Sequence, residues 1–424
     1  MGDMKTQVFA IFAFVSVALT GLTGCVTDVL PYQTAPDSGD PTKDSGNAPD
    51  VGEGGMGADS ADGGMGSDTG MGQDGSMGQD GSSTDGSMGQ DSGTDSGMGC
   101  DGGNLMCGNV CVDSLTDNNN CGGCGIACGG GDTCNAGYCT QTLVFEATNQ
   151  LALSLSGNNV YFSNSANKVE KCGKNGCGNQ PTVLSTNQNN PTSLATDSTD
   201  AYWTNYQGGS LSTVPLGGGS TTNLATNQMQ PYSVAVDANG VYLYWAESIF
   251  NGTVKRCLAA NCANTTTALA TGTQASAISV DSTNVYWYDF AAKRILKCAV
   301  GGCSGNPTIL VNNQSSTNYT FTDGSNLYWA SLTSVYKCAT NGCGGNPTVL
   351  ASNQNANAIA VVSDGTNAYW TDKGGTVQKC ALNNCANTIT LLAVNQNQPY
   401  AIAVDSQHVF WTNYAGGQIM RAPK

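Results

Sequence analysis

Nineteen cysteines and a single histidine set the chemistry open to this 424-residue chain. Cys25 stands alone near the start. Eight cysteines crowd into one short stretch: Cys100, Cys107, Cys111, Cys121, Cys124, Cys128, Cys134 and Cys139. Ten more form the pairs Cys172/Cys177, Cys257/Cys262, Cys298/Cys303, Cys338/Cys343 and Cys380/Cys385. Even numbers in each cluster suit disulfides made in an oxidising compartment. In the crowded stretch, roughly a hundred pairings are open, and spacing does not choose among them. The later pairs share the form Val/Ile-x-Lys/Arg-Cys-x4-Cys. Each is expected to be a local staple closing a hairpin loop, adding about 2 kcal/mol by the loop-entropy argument. Structural zinc wants clustered ligands, and pairs lying on separate repeats do not supply them. Cys121-x2-Cys124 lacks the βαβ context of a redox motif. No metal or other cofactor is expected.

With His408 as the only histidine and the thiols paired, most nucleophilic and transition-metal mechanisms lack their parts. A Ser-His-Asp arrangement around His408 competes with a turn or packing role, which is preferred. Asp197, Asp237, Asp281, Asp323, Asp364 and Asp405 recur ahead of an aromatic strand. They could ring a calcium ion, but Asp at a hairpin turn more simply caps backbone N–H groups. Gln150, Gln188, Gln228, Gln274, Gln314, Gln354 and Gln396 also recur, usually after Asn. A residue demanded by every repeat is expected to serve the fold. Residues that break the symmetry are better binding candidates: Tyr206, Tyr288, Asp289, Arg294 and Tyr414, with Phe290 beside them. Tyrosines with amides and charges suit protein or carbohydrate surfaces. No catalytic residue is expected.

These residues are positioned by a repeat. Trp203, Trp245, Trp287, Trp329, Trp370 and Trp411 lie 42, 42, 42, 41 and 41 residues apart, and Phe162 precedes Trp203 by 41. Each unit holds four β-rich runs separated by Gly, Asn, Asp and Ser, with no long helical period. About 40–45 residues for four strands is the length of a propeller blade. The adjacent aromatics of Tyr244-Trp245 point to opposite faces of a strand. Both are buried only where a blade packs on neighbours through both faces. The last unit ends at Gly417-Gln418-Ile419-Met420-Arg421 without a fourth strand. The segment from Thr142 to Gln150 resembles a fourth strand with nothing before it. The expected fold is therefore an all-β, seven-bladed propeller, with six blades as the alternative. The N-terminal strand would complete the last blade and remove an exposed edge.

Tyr202-Trp203-Thr204-Asn205, Tyr369-Trp370-Thr371-Asp372 and Phe410-Trp411-Thr412-Asn413 resemble the YWTD motif of low-density-lipoprotein-receptor-type propellers. The resemblance covers residues 141–424. Those domains usually have six blades, and Tyr244-Trp245-Ala246-Glu247 and Tyr328-Trp329-Ala330-Ser331 depart from the motif. The stretch from Cys107 to Gly125 resembles the Cys-rich module of the stigma-specific protein type, also found in bacterial surface lipoproteins. Such a module, 100–140, is too small to sustain a core and would rely on its disulfides.

Residues 1–25 look like an export signal. The apolar run from Val8 to Leu22 is short for a membrane span, which needs about 20 residues. It ends in Leu22-Thr23-Gly24-Cys25, which resembles the bacterial lipobox and makes Cys25 the lipid attachment site. Val26 and Thr27 after it favour the outer membrane, giving an envelope protein held by its N-terminal lipid. Residues 26–99 form an expected disordered linker rich in Gly, Ser, Asp and Met. Between residues 36 and 99 there are 13 acidic residues and one Lys, so the segment has little to bury and repels itself. From residue 101 onward, 16 acidic face 13 basic residues, which points to no nucleic-acid partner. The expected function is a non-catalytic binding or scaffolding module for protein or envelope polysaccharide. The alternatives are a polysaccharide-acting propeller enzyme, as a calcium-dependent hydrolase or lyase, and a structural envelope or adhesion protein.

Overall fold

The computed structural model describes Cys100 and residues 103–315, 317–354 and 358–424. The expectations placed on residues 1–99, including the leader with Cys25 and the acidic linker, lie outside the described residues. Seven antiparallel sheets form blades 1 to 7: 150–185, 191–225, 231–273, 275–311, 317–351, 358–393 and 399–423. Their first strands pack in cyclic order, and Pro399–Val404 of blade 7 returns to Gln150–Ser156 of blade 1. Seven blades, not six, close the ring.

Closure follows the expected route. Blade 7 supplies Pro399–Val404, His408–Asn413 and Gln418–Pro423. Tyr138–Phe145 pairs antiparallel with the last of these, placing Gln418 opposite Phe145 and Arg421 opposite Gln141. Thr133–Asn135 then adds a fifth strand. The closing strand thus crosses the expected 140/141 boundary, and the Cys-rich module shares a strand with the propeller. Arg421, buried at 1% exposure, fixes this joint. Its guanidinium donates to Asp132 Oδ1 (2.9 Å) and Gly130 O (2.7 Å) of the module. It also donates to Lys174 O of blade 1 (2.9 Å).

The repeated residues hold the blades. All six tryptophans are fully buried, as is Phe162, each ring removing roughly 150–250 Å² from water. In five blades the indole N–H donates to the amide oxygen of the link glutamine. The pairs are Trp203–Gln188, Trp245–Gln228, Trp329–Gln314, Trp370–Gln354 and Trp411–Gln396, at 2.9 to 3.1 Å. The preceding Asn187, Asn227, Asn313, Asn353 and Asn395 have φ of 56–58°, a left-handed conformation that Asn tolerates. The same glutamines donate back to the carbonyl two residues earlier, as Gln228 does to Thr226 (2.7 Å).

Blade 4 departs from this pattern. Its left-handed residue is Gly272 (φ 72°), and the next residue, Thr273, accepts the Trp287 N–H at 3.3 Å. Gln274 therefore sits one place beyond the structural position shared by its counterparts. Gln150 has Phe162 for a partner ring and donates to the Glu146 carboxylate and to Thr148 instead.

The aspartates are turn caps. Asp281 Oδ1 accepts the Thr283 and Asn284 N–H groups, both at 2.7 Å, and its Oδ2 accepts the Tyr286 hydroxyl (2.8 Å). Asp197, Asp323 and Asp364 bind Tyr202, Tyr328 and Tyr369 in the same way. Asp405 faces Phe410 instead, and its free oxygen pairs with Lys174 at 2.9 Å.

The basic residue before four of the five staples has a role the sequence reading did not assign. It reaches a carbonyl of the next blade: Lys171 to Leu216 (2.7 Å), Lys297 to Thr340 (2.7 Å), Lys337 to Leu382 (3.4 Å), and Arg256 to Val300.

The five staples join the expected pairs: Cys172–Cys177, Cys257–Cys262, Cys298–Cys303, Cys338–Cys343 and Cys380–Cys385. Each closes its own hairpin loop, but the loops take two conformations. In blades 3 and 6 the second cysteine is buried and opens a short helix, Cys262–Thr265 or Cys385–Thr388. In blades 1, 4 and 5 the second cysteines, Cys177, Cys303 and Cys343, are only half-buried and lie in irregular loop. The residue just before the cysteine makes the difference. It is Gly176, Gly302 or Gly342 in these three blades, with φ of 97°, 112° and 131°. Asn261 and Asn384 stand there in blades 3 and 6, with φ of −152°. The glycine loops also lean on the preceding blade. Cys177 Sγ lies 3.7 Å from Leu143 O and Cys303 Sγ 3.6 Å from Leu269 O. Cys343 packs on the apolar cluster that holds Leu310 of blade 4. Cys262 likewise packs in a cluster with Leu224 and Ala225 of blade 2, and the helices of blades 3 and 6 lie against the fourth strands of the blades before them, so all five bridges brace neighbouring blades as well as their own hairpins.

In the module, the bonds are Cys100–Cys111, Cys107–Cys124, Cys121–Cys134 and Cys128–Cys139. The sulfurs of Cys121, Cys128 and Cys139 gather within 4.8 Å, but each is already half of a disulfide.

The unequal roles of the glutamines are testable. Gln396→Ala would leave the buried Trp411 N–H without its acceptor and cost about 1–3 kcal/mol in urea unfolding. Gln274→Ala would leave stability nearly unchanged, because Thr273 holds the Trp287 indole.

Candidate functional site

Antiparallel blades divide the molecule into two rims. The staple rim carries the aspartate turns and the Cys-x4-Cys loops. The link rim carries the turns between second and third strands and the links between blades. The symmetry-breaking candidates all lie in or beside link-rim turns, but in two groups. Tyr206 and Tyr414 follow Asn205 and Asn413 at the ends of second strands. Tyr206 meets Tyr232 edge-on at 5.8 Å, and Tyr414 meets Tyr400 at 5.6 Å. Tyr232 and Tyr400 are the second residues of the first strands of blades 3 and 7. Tyr232, from blade 3, packs in the same apolar cluster as Tyr319 and Tyr400, so its ring reaches across the axis. Burial pushes its hydroxyl well above the ordinary value, reinforced by Tyr400 and Tyr206 nearby. Aromatic rings thus fill the link-rim end of the channel. The first strands carry no Asp, Glu, Lys or Arg.

Tyr288, Asp289 and Arg294 form a separate, closed network on blade 4. Asp289 is buried and pairs with Arg294 at 3.1 Å. The Tyr288 hydroxyl donates to Gln314 O of the next link (3.1 Å), and burial, then the Asp289 charge, pushes its pKa up to about 12. Tyr288 packs edge-on against Phe290 at 6.3 Å. Tyr288 ties blade 4 to the next link and Asp289 closes blade 4's own turn, whereas Phe290 remains exposed.

That exposed ring belongs to an arc. Met229, Phe250, Phe290 and Leu332 are 57%, 75%, 40% and 41% exposed. They sit on the link into blade 3 and the successive turns of blades 3, 4 and 5, all on the link rim. Sequence reasoning singled out only Phe290, because exposure cannot be seen in an isolated apolar residue.

A second feature was also missed. Where blade 1 has Phe162 instead of Trp, two carboxylates share one amide. Asn164 Nδ2 donates to Glu170 Oε2 (2.7 Å) and to Glu146 Oε2 (2.9 Å). Gln150 Nε2 also reaches Glu146 Oε2 (3.3 Å), and Lys168 lies 3.4 Å from Glu170 Oε1. Burial raises the Glu170 carboxyl to about 7, helped by the charge of Glu146 and a hydrogen bond to it, against Lys168. His408, by contrast, lies by the staple rim with its ring 6.0 Å from Phe410. Among the described residues its imidazole has no hydroxyl or carboxylate hydrogen-bonded to it. Burial lowers its pKa, with Arg421 adding to the shift.

No family model matches the chain, and no curated protein matches it. Solved structures do. Virginiamycin B lyase from Staphylococcus aureus is similar over 67% of this chain and 98% of that chain, with 15% identity and a TM-score of 0.56. A catalytically inactive variant of that lyase with quinupristin matches over 67% and 99%, with 14% identity and a TM-score of 0.53. A chain of the nidogen/laminin complex matches over 54% and 90%, with 22% identity and a TM-score of 0.43. The lyase matches agree with the propeller fold.

The Glu170 proton sets a pH dependence. Its folded pKa of about 7 lies above the ordinary 4.5. The stabilisation from this proton is therefore full below the unfolded pKa and is lost as pH rises through the folded value. Glu170→Gln should be more stable than the parent at about pH 8 and show a flatter stability profile from about pH 5 to 8. Identical profiles in urea unfolding would show that the carboxylates do not share a proton.

Proposed function

We propose that the protein is an envelope-anchored, non-catalytic binding module whose link rim engages protein or envelope polysaccharide. The observation carrying this reading is the exposed arc of Met229, Phe250, Phe290 and Leu332, on one rim and beside the channel-filling tyrosines. Exposed apolar groups gathered on one face mark interaction surfaces. The nine disulfides support an exported location. In this reading Cys25 carries the lipid, and the acidic linker of residues 26–99 holds the folded part away from the outer membrane.

A second reading is favoured by one observation. Glu170, with its carboxyl near neutrality beside Glu146, is suited to general acid–base work, and the matched structures include lyases. In this reading its substrate would be a polysaccharide.

Co-sedimentation of the full oxidised chain with envelope protein and polysaccharide fractions tests both readings. Saturable binding without turnover is expected. Phe250→Ser/Phe290→Ser/Leu332→Ser should weaken it by about tenfold or more, the scale on which buried interface anchors act. Full binding by this variant would move the surface elsewhere. Turnover abolished by Glu170→Gln would establish the enzyme instead.

A further inference from the structure

A cavity of about 350 Å³ lies at the outer edge of blade 7, near the lower end of small-molecule sites, which span about 300–1,000 Å³. One wall comes from Thr133–Asn135 and the closing strand. The other comes from the link 395–397 and the second and third strands of blade 7. Its lining is chiefly hydroxyl and amide, including Asn135, Thr140, Asn395, Asn397, Asn413 and Gln418, and contains no Asp, Glu, Lys, Arg or His. Met420 adds an apolar patch, its sulfur held by the Thr142 hydroxyl at 3.2 Å.

This chemistry is selective. A charged ligand would lose hydration and find no counter-charge. An apolar ligand would leave the amides unpaired. A neutral molecule with many hydroxyls and one C–H face meets both conditions. The exposed Asn135, Asn395 and Asn397 make no side-chain hydrogen bond among the described residues. Asn413 Nδ2 is held by Gln396 (3.0 Å) and Gln418 (2.9 Å), while its buried Oδ1 has no partner. The walls are also fixed in place. Cys121–Cys134 and Cys128–Cys139 hold the module strands, and the buried Arg421–Asp132 pair locks the module to blade 7. A site ordered in advance avoids part of the entropy cost of binding.

We infer that this cleft binds a neutral sugar residue. The inference rests on the binding-module reading and names polysaccharide as its ligand class. The test is calorimetric titration of the full oxidised protein with chitotriose, cellotriose and maltotriose, using trigalacturonic acid as the charged control. Binding of at least one neutral trisaccharide, and none of the acid, is expected. Asn135→Ala/Asn397→Ala removes two exposed amides without touching the strand pairing and should weaken binding about tenfold. No neutral trisaccharide binding, preferential binding of the acid, or binding unchanged in the variant would overturn the assignment. If envelope fractions still co-sediment when the trisaccharides fail, the cleft assignment alone falls. If both fail, the binding-module reading falls with it.

Discussion

The pairing of Tyr138–Phe145 with Gln418–Pro423 is the constraint on which the structure depends. Within each of blades 1 to 6 the four strands are consecutive in sequence, so their pairing closes only short loops. Blade 7 alone recruits its outer strand from the other end of the propeller. Until that strand docks, Gln418–Pro423 is an open edge, ready to pair with another chain. Once docked, it joins the last blade to the residues leading directly into blade 1. The buried Arg421 completes the joint by binding Asp132 of the module and Lys174 O of blade 1 together. Removing one member of such a pair leaves a buried charge uncompensated, so the module is part of the closure.

The ring has a division of labour. Positions that recur in most blades serve the fold: tryptophan N–H to glutamine, tyrosine hydroxyl to aspartate, and lysine to the next blade's carbonyl. The position after the aromatic does the same. Ser163, Thr204 and Thr371 donate to Pro191, Tyr232 and Tyr400 carbonyls of the following blades, at 2.8, 3.2 and 2.7 Å. Chemistry available to a partner lies where the repeats differ. The link rim offers apolar side chains and tyrosines, blade 1 offers paired carboxylates, and the edge of blade 7 offers a neutral polar cleft.

How far the sequence reveals this depends on whether a residue's partner is local. The blade count and closing strand were legible because every blade needs a buried ring at one place and the last blade visibly lacks a strand. The aspartate caps were legible because their partners lie two to five residues away. The staple pairs were legible for the same reason, but the packing of their loops on the preceding blade was not, since those partners lie in another repeat. The link glutamine was recognisable as structural, but its indole partner was not identified. The slip in blade 4 escaped notice because Gly272 replaces the left-handed Asn, and only the backbone reveals that Thr273 takes the acceptor's place. Glu146 and Glu170, well apart in sequence, meet where the closing strand leads into blade 1. The module's disulfide connectivity was equally closed to sequence, since spacing alone leaves many pairings geometrically open.

Hydrogen exchange on the full chain carrying Val144→Asp tests the closure directly. Val144 is fully buried opposite Ile419, so a carboxylate there disrupts the closing strand's packing. The account predicts that Tyr138–Phe145, Gln418–Pro423 and the blade 1 strand Gln150–Ser156 lose protection together. Loss confined to Tyr138–Phe145, with the other two strands still protected, would contradict the claim that this pairing holds the ring.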